Sequence, residues 1–369
     1  MKVLVTGANG FIGQNLVVRL KEEKIEYSTF LRGDSLEDLE TKVKCCNFIV
    51  HLAGTNRPKN ESEFIEGNTD LTNKIADILQ NQQLKTPVIY SSSVQVELEN
   101  SYGLSKKLAE DALSILSANN DNLVYIYRLP NVFGKWCKPN YNSAVATFCY
   151  NTINDLPIQI HNSEALINLV YIDDVVNEFM YVIRNYEQKK VVDTTEVHPV
   201  HQITVGNLVK QLVLFKESKS SAVIERVGTD LTRALYSTYI SYFKPTEFSY
   251  LLKKHEDPRG VFVEMLKTKD SGQFSFFSAH PGITRGGHYH HSKNEKFLVV
   301  KGKAKFGFRH IVTDEYYELL TSGAEPQVVE TVPGWSHDIT NVGEDEMFVM
   351  LWANEIFDPV NPDTIYHKV

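Results

Sequence analysis

The chain predicts two fold classes in succession, an α/β doubly wound parallel sheet and then an all-β barrel of jelly-roll type. Three observations carry that division. The first thirteen residues, MKVLVTGANGFIG, are an apolar strand followed by Gly7, Gly10 and Gly13 opening a helix. Strand-like and helix-like segments then alternate to about Lys244, the pattern of βαβ units. From Gly260 the texture changes to short aromatic-rich strands such as QFSFFSA, EKFLVVKG, KAKFGFRH and EMFVMLWA, with no long amphipathic helix between them. The expected boundary lies between residues 246 and 247.

In order, strands are expected at Lys2–Thr6, Tyr27–Leu31, Phe48–Leu52, Val88–Ser91 and Leu123–Arg128, with helices over Asn68–Gln82 and Ser105–Ala118. A chain of 369 residues is long enough for two such domains. A net charge of -8 argues against general nucleic-acid binding. No apolar run approaches the roughly 20 residues that span a bilayer, and the N-terminus enters the first strand directly, so a cytoplasmic protein without a membrane partner is expected. Cys45, Cys46, Cys137 and Cys149 form no CxxC and read as reduced thiols.

Each glycine of the first turn has a physical task. Gly7 permits the tight turn, Gly10 lets backbone approach a pyrophosphate, and Gly13 lets helix and strand pack closely, the Rossmann-type arrangement. Tyr102 and Lys106 are four residues apart on a predicted helix and share one face. A phenol has an ordinary pKa of about 10, and a lysine one turn away is expected to favour the phenolate. Ser93, ending the fourth strand, offers a hydroxyl to a substrate carbonyl.

These residues resemble the extended short-chain dehydrogenase/reductase family, particularly its nucleotide-sugar members. The resemblance covers roughly residues 1–240 and includes Gly7–Gly13, His51-Leu52-Ala53-Gly54, Asn68, the Ser93/Tyr102/Lys106 set, Arg128-Leu-Pro-Asn131-Val-Phe-Gly134 and Val170-Tyr-Ile-Asp-Asp-Val175. It implies that Tyr102 moves the proton, that Lys106 binds the nicotinamide ribose, and that Asn131 lies near the nicotinamide or the substrate diphosphate. Phe11, Ile12, Leu52 and Ala53 join the glycines as the implied cofactor surface. His51 and Asn68 have the alternative of strand-end and helix-cap roles.

Two departures sharpen the expectation. The second strand ends Ser28-Thr-Phe-Leu-Arg32-Gly, without the acidic residue that binds a ribose 2′-hydroxyl. Arg32 suits a 2′-phosphate, so NADPH is expected, the alternative being a solvated loop arginine. The family's 4,6-dehydratases carry Asp-Glu directly after the position of Ser93; here Val94-Gln95 stands there, which favours simple ketone reduction.

In the second half, Gly282-x5-His288-x-His290-x4-Glu295-x6-Gly302 fits the first cupin motif and Gly334-x2-His337-x3-Asn341 the core of the second, although Pro333 precedes Gly334 directly where the motif has one residue between. Alternation places His288 and His290 on one face of a strand. Glu295 is expected from the next strand and His337 from a distant strand across the barrel. Three imidazoles and a carboxylate suit a divalent transition metal such as zinc. His291 alternates to the other face and is left out of the set. Asp257-Pro-Arg259-Gly260 and Arg285-Gly-Gly-His288 also resemble the dTDP-sugar 3,5-epimerase cupins, whose equivalent of His288 is a catalytic base. His288 is therefore either ligand or base, with ligation preferred. Arg259 and Arg285 are candidates for binding substrate diphosphate or for structural ion pairs.

Taken whole, the chain resembles bifunctional reductase–epimerase enzymes of capsular polysaccharide and O-antigen synthesis. That resemblance implies a homodimer that acts on a UDP-linked 4-keto-2-acetamido-2,6-dideoxyhexose. The implied product is UDP-2-acetamido-2,6-dideoxy-L-talose, on the route to UDP-N-acetyl-L-fucosamine. The alternatives are a dTDP-4-keto-6-deoxysugar reductase with a structural barrel, and a cofactor-sensing protein without turnover.

Overall fold

The computed structural model describes residues 1–186, 194–221, 223–252, 255–257, 260–262, 266–268, 273–355 and 360–369. The chain divides into two compact units. The first comprises Met1–Phe133, Asn140–Ser143 and Ile167–Gln202; the second comprises Gly134–Pro139, Ala144–Leu166 and Ile203–Val369. The sequence boundary at 246/247 thus falls inside the second unit.

The first unit is built on five parallel strands, β1 (Lys2–Thr6), β2 (Glu26–Phe30), β3 (Phe48–His51), β4 (Val88–Ser93) and β5 (Val124–Leu129), in the order β2-β1-β3-β4-β5. Thr194–Thr195 extends the sheet beside β5. The strands are apolar runs because both faces are covered; β3 is buried throughout. Leu4, Ile49, Val88, Tyr90 and Ile126 pack with Leu79, Leu113 and Leu116 in one apolar core. Strand order reverses at β1, so a crevice opens at the carboxyl ends of β1 and β3. The helix Ser101–Asn120 starts four residues before the expected Ser105, because Asn100 caps it by accepting from the Gly103 N–H at 2.8 Å.

The second unit contains two five-stranded sheets. One runs Ser249–Leu251, Gln327–Glu330, Glu295–Lys301, Met347–Ala353, Gln273–Ala279; the other runs Tyr316–Ser322, Lys303–His310, Trp335–Asn341, Thr284–Tyr289, Ile365–Tyr366. All these pairings are antiparallel. Phe297, Phe306, Phe308, Trp335, Val349 and Trp352 are buried in its core. The helices Val205–Ser221 and Asp230–Ile240 belong to this unit, and buried polar contacts tie the second of them to the sheets. Tyr236 donates to Glu330 at 3.4 Å, Glu330 is paired with Lys296, and Ser237 donates to the Ser292 carbonyl at 2.8 Å. Among the described residues, no helix is long and apolar enough to cross a membrane, and the four cysteines form no disulfide.

Candidate active sites

The glycine turn sits at the crevice of the parallel sheet. Gly7 has φ +69°, and a Cβ there would lie 2.7 Å from the Ala53 nitrogen. That is closer than real side chains approach, so β1 and the Leu52-Ala53 segment meet only because the residue is glycine. Gly10 is the N-cap of the helix Phe11–Glu22, and Gly13 is buried within it. The helix begins without a side-chain cap, which leaves its first backbone N–H groups to suit an anion.

His51 is structural in its contacts. Thr72 Oγ1 donates to the Asn68 carbonyl at 2.6 Å, so His51 Nε2, 2.9 Å away, donates to Thr72. Nδ1 then accepts from Thr6 Oγ1 at 2.6 Å, and Thr6 in turn accepts from the Leu52 and Ala53 N–H groups. Burial, reinforced by Lys106, lowers the His51 pKa to about 3, so the imidazole is neutral. Asn68 lies in a π-helical turn, Ile65–Asp70, and bridges Thr55 and the Ser105 hydroxyl. Both residues fix the wall of the crevice.

Ser93, Tyr102 and Lys106 come from the end of β4 and the first turns of Ser101–Asn120. Ser93 Oγ accepts from Gln95 N–H at 3.2 Å. Lys106 is buried, donates to the Ser91 carbonyl at 2.9 Å, and lies 4.8 Å from the centre of the Tyr90 ring. Burial lowers its pKa to about 8, with Glu110 one turn on opposing. The sequence expectation that Lys106 pulls Tyr102 downward meets a stronger effect: burial raises the Tyr102 phenol, and a hydrogen bond from Ser93 acts against it. One anchor was missed in the sequence. Glu110 accepts Ser92 Oγ at 2.5 Å and grips Arg128 through two bonds of 3.1 and 2.7 Å, tying β4, β5 and the helix together. Its signal was the third member of the Tyr102, Lys106, Glu110 face. Arg32 is exposed in the turn after β2, and Asn131 is exposed, donating to the Asn168 carbonyl at 3.1 Å.

In the barrel, the ligand atoms of His288, His290, Glu295 and His337 all lie within 4.8 Å of one another. The expected position of His337 is corrected: its strand pairs directly with that of His288, and the two residues are register partners. Glu295 comes from the opposite sheet. A bulge between Gly286 and His288 aims these side chains. Gly286 has φ +100°, and a Cβ there would lie 2.9 Å from the His337 carbonyl oxygen, which explains the Gly-Gly before His288.

The donor set fits a divalent cation. Glu295 Oε2 faces His290 Nε2 at 3.2 Å and His337 Nε2 at 3.4 Å, while Oε1 pairs with Lys293 at 2.9 Å. Neither ring nitrogen of His337 makes a hydrogen bond, although both are buried, an arrangement a metal ion would satisfy. Burial, with the neighbouring imidazoles, lowers His288 to about 3. Burial also lowers His337. Both are neutral, the ligating form. Burial alone would raise Glu295, but His290 and His337 outweigh it and hold the carboxyl well below its ordinary range. His291 stays outside the cluster, edge-on to Tyr289. Asn341 is a loop clamp, donating to the Ala279 and Asp345 carbonyls. Arg285 is exposed and covers the Phe277 ring; Arg259 lies outside the described residues.

Residues 3–197 match the model of the NAD dependent epimerase/dehydratase family, and residues 255–365 match the polysaccharide biosynthesis C-terminal domain. The chain belongs to the NAD dependent epimerase/dehydratase family, extended by that second domain. Among its relatives is a Pseudomonas aeruginosa protein, UDP-2-acetamido-2,6-beta-L-arabino-hexul-4-ose reductase, 57% identical over 99% of this chain and 98% of the relative. The crystal structure of the capsular polysaccharide assembling protein CapF from Staphylococcus aureus is similar over 100% of both chains, with 41% identity and a TM-score of 0.67. An Escherichia coli dTDP-4-dehydro-6-deoxyglucose reductase is 25% identical over 60% of this chain and 83% of the relative.

Proposed function

We propose that the chain is a bifunctional nucleotide-sugar enzyme. Its barrel epimerises C3 of a UDP-4-keto-2-acetamido-2,6-dideoxyhexose, and its parallel-sheet unit then reduces the C4 ketone with NADPH to UDP-2-acetamido-2,6-dideoxy-L-talose. The observation that carries the reading is the Ser93/Tyr102/Lys106 set at the crevice of a full-length relative of a UDP-sugar 4-ulose reductase. The shorter and weaker match to a dTDP-sugar reductase favours the UDP substrate over the dTDP alternative.

Bound NADPH supplies the hydride to C4. Ser93 would turn its hydroxyl from Tyr102 to donate a hydrogen bond to the C4 oxygen and orient it. Tyr102 gives its phenolic proton to that oxygen as the C–O double bond becomes a hydroxyl. The raised Tyr102 pKa suits a group that must hold its proton until that step. Lys106, released from the Ser91 carbonyl, would hold the ribose and restore the proton. Arg32, in the turn after β2, would pair the 2′-phosphate. Gly7, Gly10, Phe11, Ile12, Gly13, Leu52, Ala53 and Asn131 would line the remaining cofactor surface.

In the barrel, His288, His290, Glu295 and His337 would hold zinc or a similar cation, which supplies Lewis acidity beside the ketone. We place His288 among the ligands because its donor atom shares the cluster, and another basic side chain would then take the C3 proton and return one to the opposite face. Only a C4 ketone acidifies the C3 proton, and the reductase consumes that ketone, so epimerisation comes first. The pathway assignment to capsule synthesis and a cytoplasmic homodimer belong to the same proposal.

The test is product NMR after incubation with the UDP-4-keto sugar in D2O. Deuterium should enter C3 with or without NADPH, and the reduced talo product should form only with it. NADPH-dependent reduction without C3 exchange would leave the barrel a structural module and remove the epimerase half.

A further inference from the structure

The turn between the two ligand-bearing strands is held from a distant part of the chain. Asp363, in the C-terminal segment, accepts three successive backbone N–H groups, those of His291 at 2.8 Å, Ser292 at 2.7 Å and Lys293 at 2.6 Å. The Ser292 hydroxyl adds a fourth bond at 3.0 Å. Arg233 backs this carboxylate at 4.0 Å and also bonds Ser292 and Glu355. Consecutive N–H groups converging on one carboxylate form a nest, a strong anion site.

The residue works through its main chain as well. The Asp363 carbonyl is hydrogen-bonded to His290 Nδ1. A carbonyl only accepts, so Nδ1 carries a proton, and Nε2 is the ring nitrogen turned toward Glu295. Two residues later, Ile365–Tyr366 pairs with the ligand strand, His288 against Tyr366 and Tyr289 against Ile365. The clamped turn also carries Lys293, whose ammonium occupies Glu295 Oε1 and leaves Oε2 to face the imidazoles.

We propose that Asp363 is a positioning residue of the His288/His290/Glu295/His337 cluster, fixing the His290 tautomer and the turn that sets His290 against Glu295. This rests on the reading that the cluster binds a divalent cation. Outer partners of this kind typically change metal affinity by about 10–100-fold.

The experiment uses the full chain stripped of metal and measures zinc affinity by competition with a chromophoric chelator. The visible absorption of the cobalt(II) form is recorded in parallel, since it reports ligand geometry. Wild type should bind one equivalent, and His337→Ala should bind far more weakly. Asp363→Ala should lose about 10–100-fold in affinity with an altered cobalt spectrum, and Asp363→Asn, which keeps an acceptor oxygen in the nest, should recover most of both. Wild-type affinity and spectrum in Asp363→Ala would overturn the positioning role. If Asp363→Ala does not fold by circular dichroism, Asp363→Asn decides: a spectrum and affinity as weak as those of His337→Ala would also overturn it, because a retained acceptor should rescue. Equal, negligible binding by wild type and His337→Ala would instead remove the metal reading itself, and this proposal with it.

Discussion

The two candidate sites are finished to different degrees by the protein itself. At the crevice of the parallel sheet, most buried polar groups around the Ser93/Tyr102/Lys106 set find partners within the chain, the Tyr90 hydroxyl being an exception. His51 is satisfied at both nitrogens, Asn68 at oxygen and nitrogen, Lys106 by a carbonyl, and Glu110 by Ser92 and Arg128. In the barrel, both His337 nitrogens are buried without a hydrogen bond, beside a carboxylate shared by two imidazoles. The first site is stable as a frame into which a cofactor is received. The second concentrates unsatisfied donors, so its ligand should also be part of its folding energy.

The largest expected effect breaks the first site without touching the second. Tyr102→Phe keeps the ring against Phe64, whose centroid is 5.7 Å away, but removes the transferable proton. Reduction should fall by about 100-fold or more, in the range of a lost general acid, while C3 exchange continues. Near-normal reduction in stopped-flow NADPH oxidation would show that the proton comes from elsewhere.

Next in size is the choice of cofactor. NADPH should be favoured over NADH by about 100-fold in kcat/KM, or about 2.7 kcal/mol, and Arg32→Ala should erase most of it. Equal use of the two cofactors by the wild type would remove Arg32 from the site. Because Arg32 is exposed, this change should leave the folded frame intact.

The smallest effect is on stability and falls on the barrel alone. A chelator should lower the barrel's thermal midpoint by about 5 °C or more, and restored zinc should reverse it. Dialysis against cofactor-free buffer should leave the parallel-sheet unit's midpoint nearly unchanged. A chelator-insensitive barrel would abolish the contrast between the sites.

Much of both sites was legible because short-range rules produced them. Gly7, Gly10 and Gly13 are read from a turn, Tyr102 and Lys106 from helical spacing, and His288 and His290 from strand alternation. These depend on local geometry that a few residues dictate. His337 was named from its motif but assigned to the far side of the barrel. Its pairing with His288 is a matter of strand order, which no local pattern encodes. Tyr102 was expected to be governed by its lysine neighbour, yet burial governs it, and burial is a property of the packed unit.

By itself, then, the sequence determined the two fold classes and the glycine-led helix start, because periodicity and spacing follow from backbone geometry, while the Ser93/Tyr102/Lys106 set and the four-residue donor set were named through the motifs they resemble. Only the tertiary structure decided which groups those residues answer to. Glu110 with Arg128, Asp363 with the His291–Lys293 turn, and the grouping of Ile203–Val369 into one unit join residues far apart in the chain. Such partnerships are settled by strand order and by the cost of burying a polar group without a partner, and both are felt only once the chain has packed.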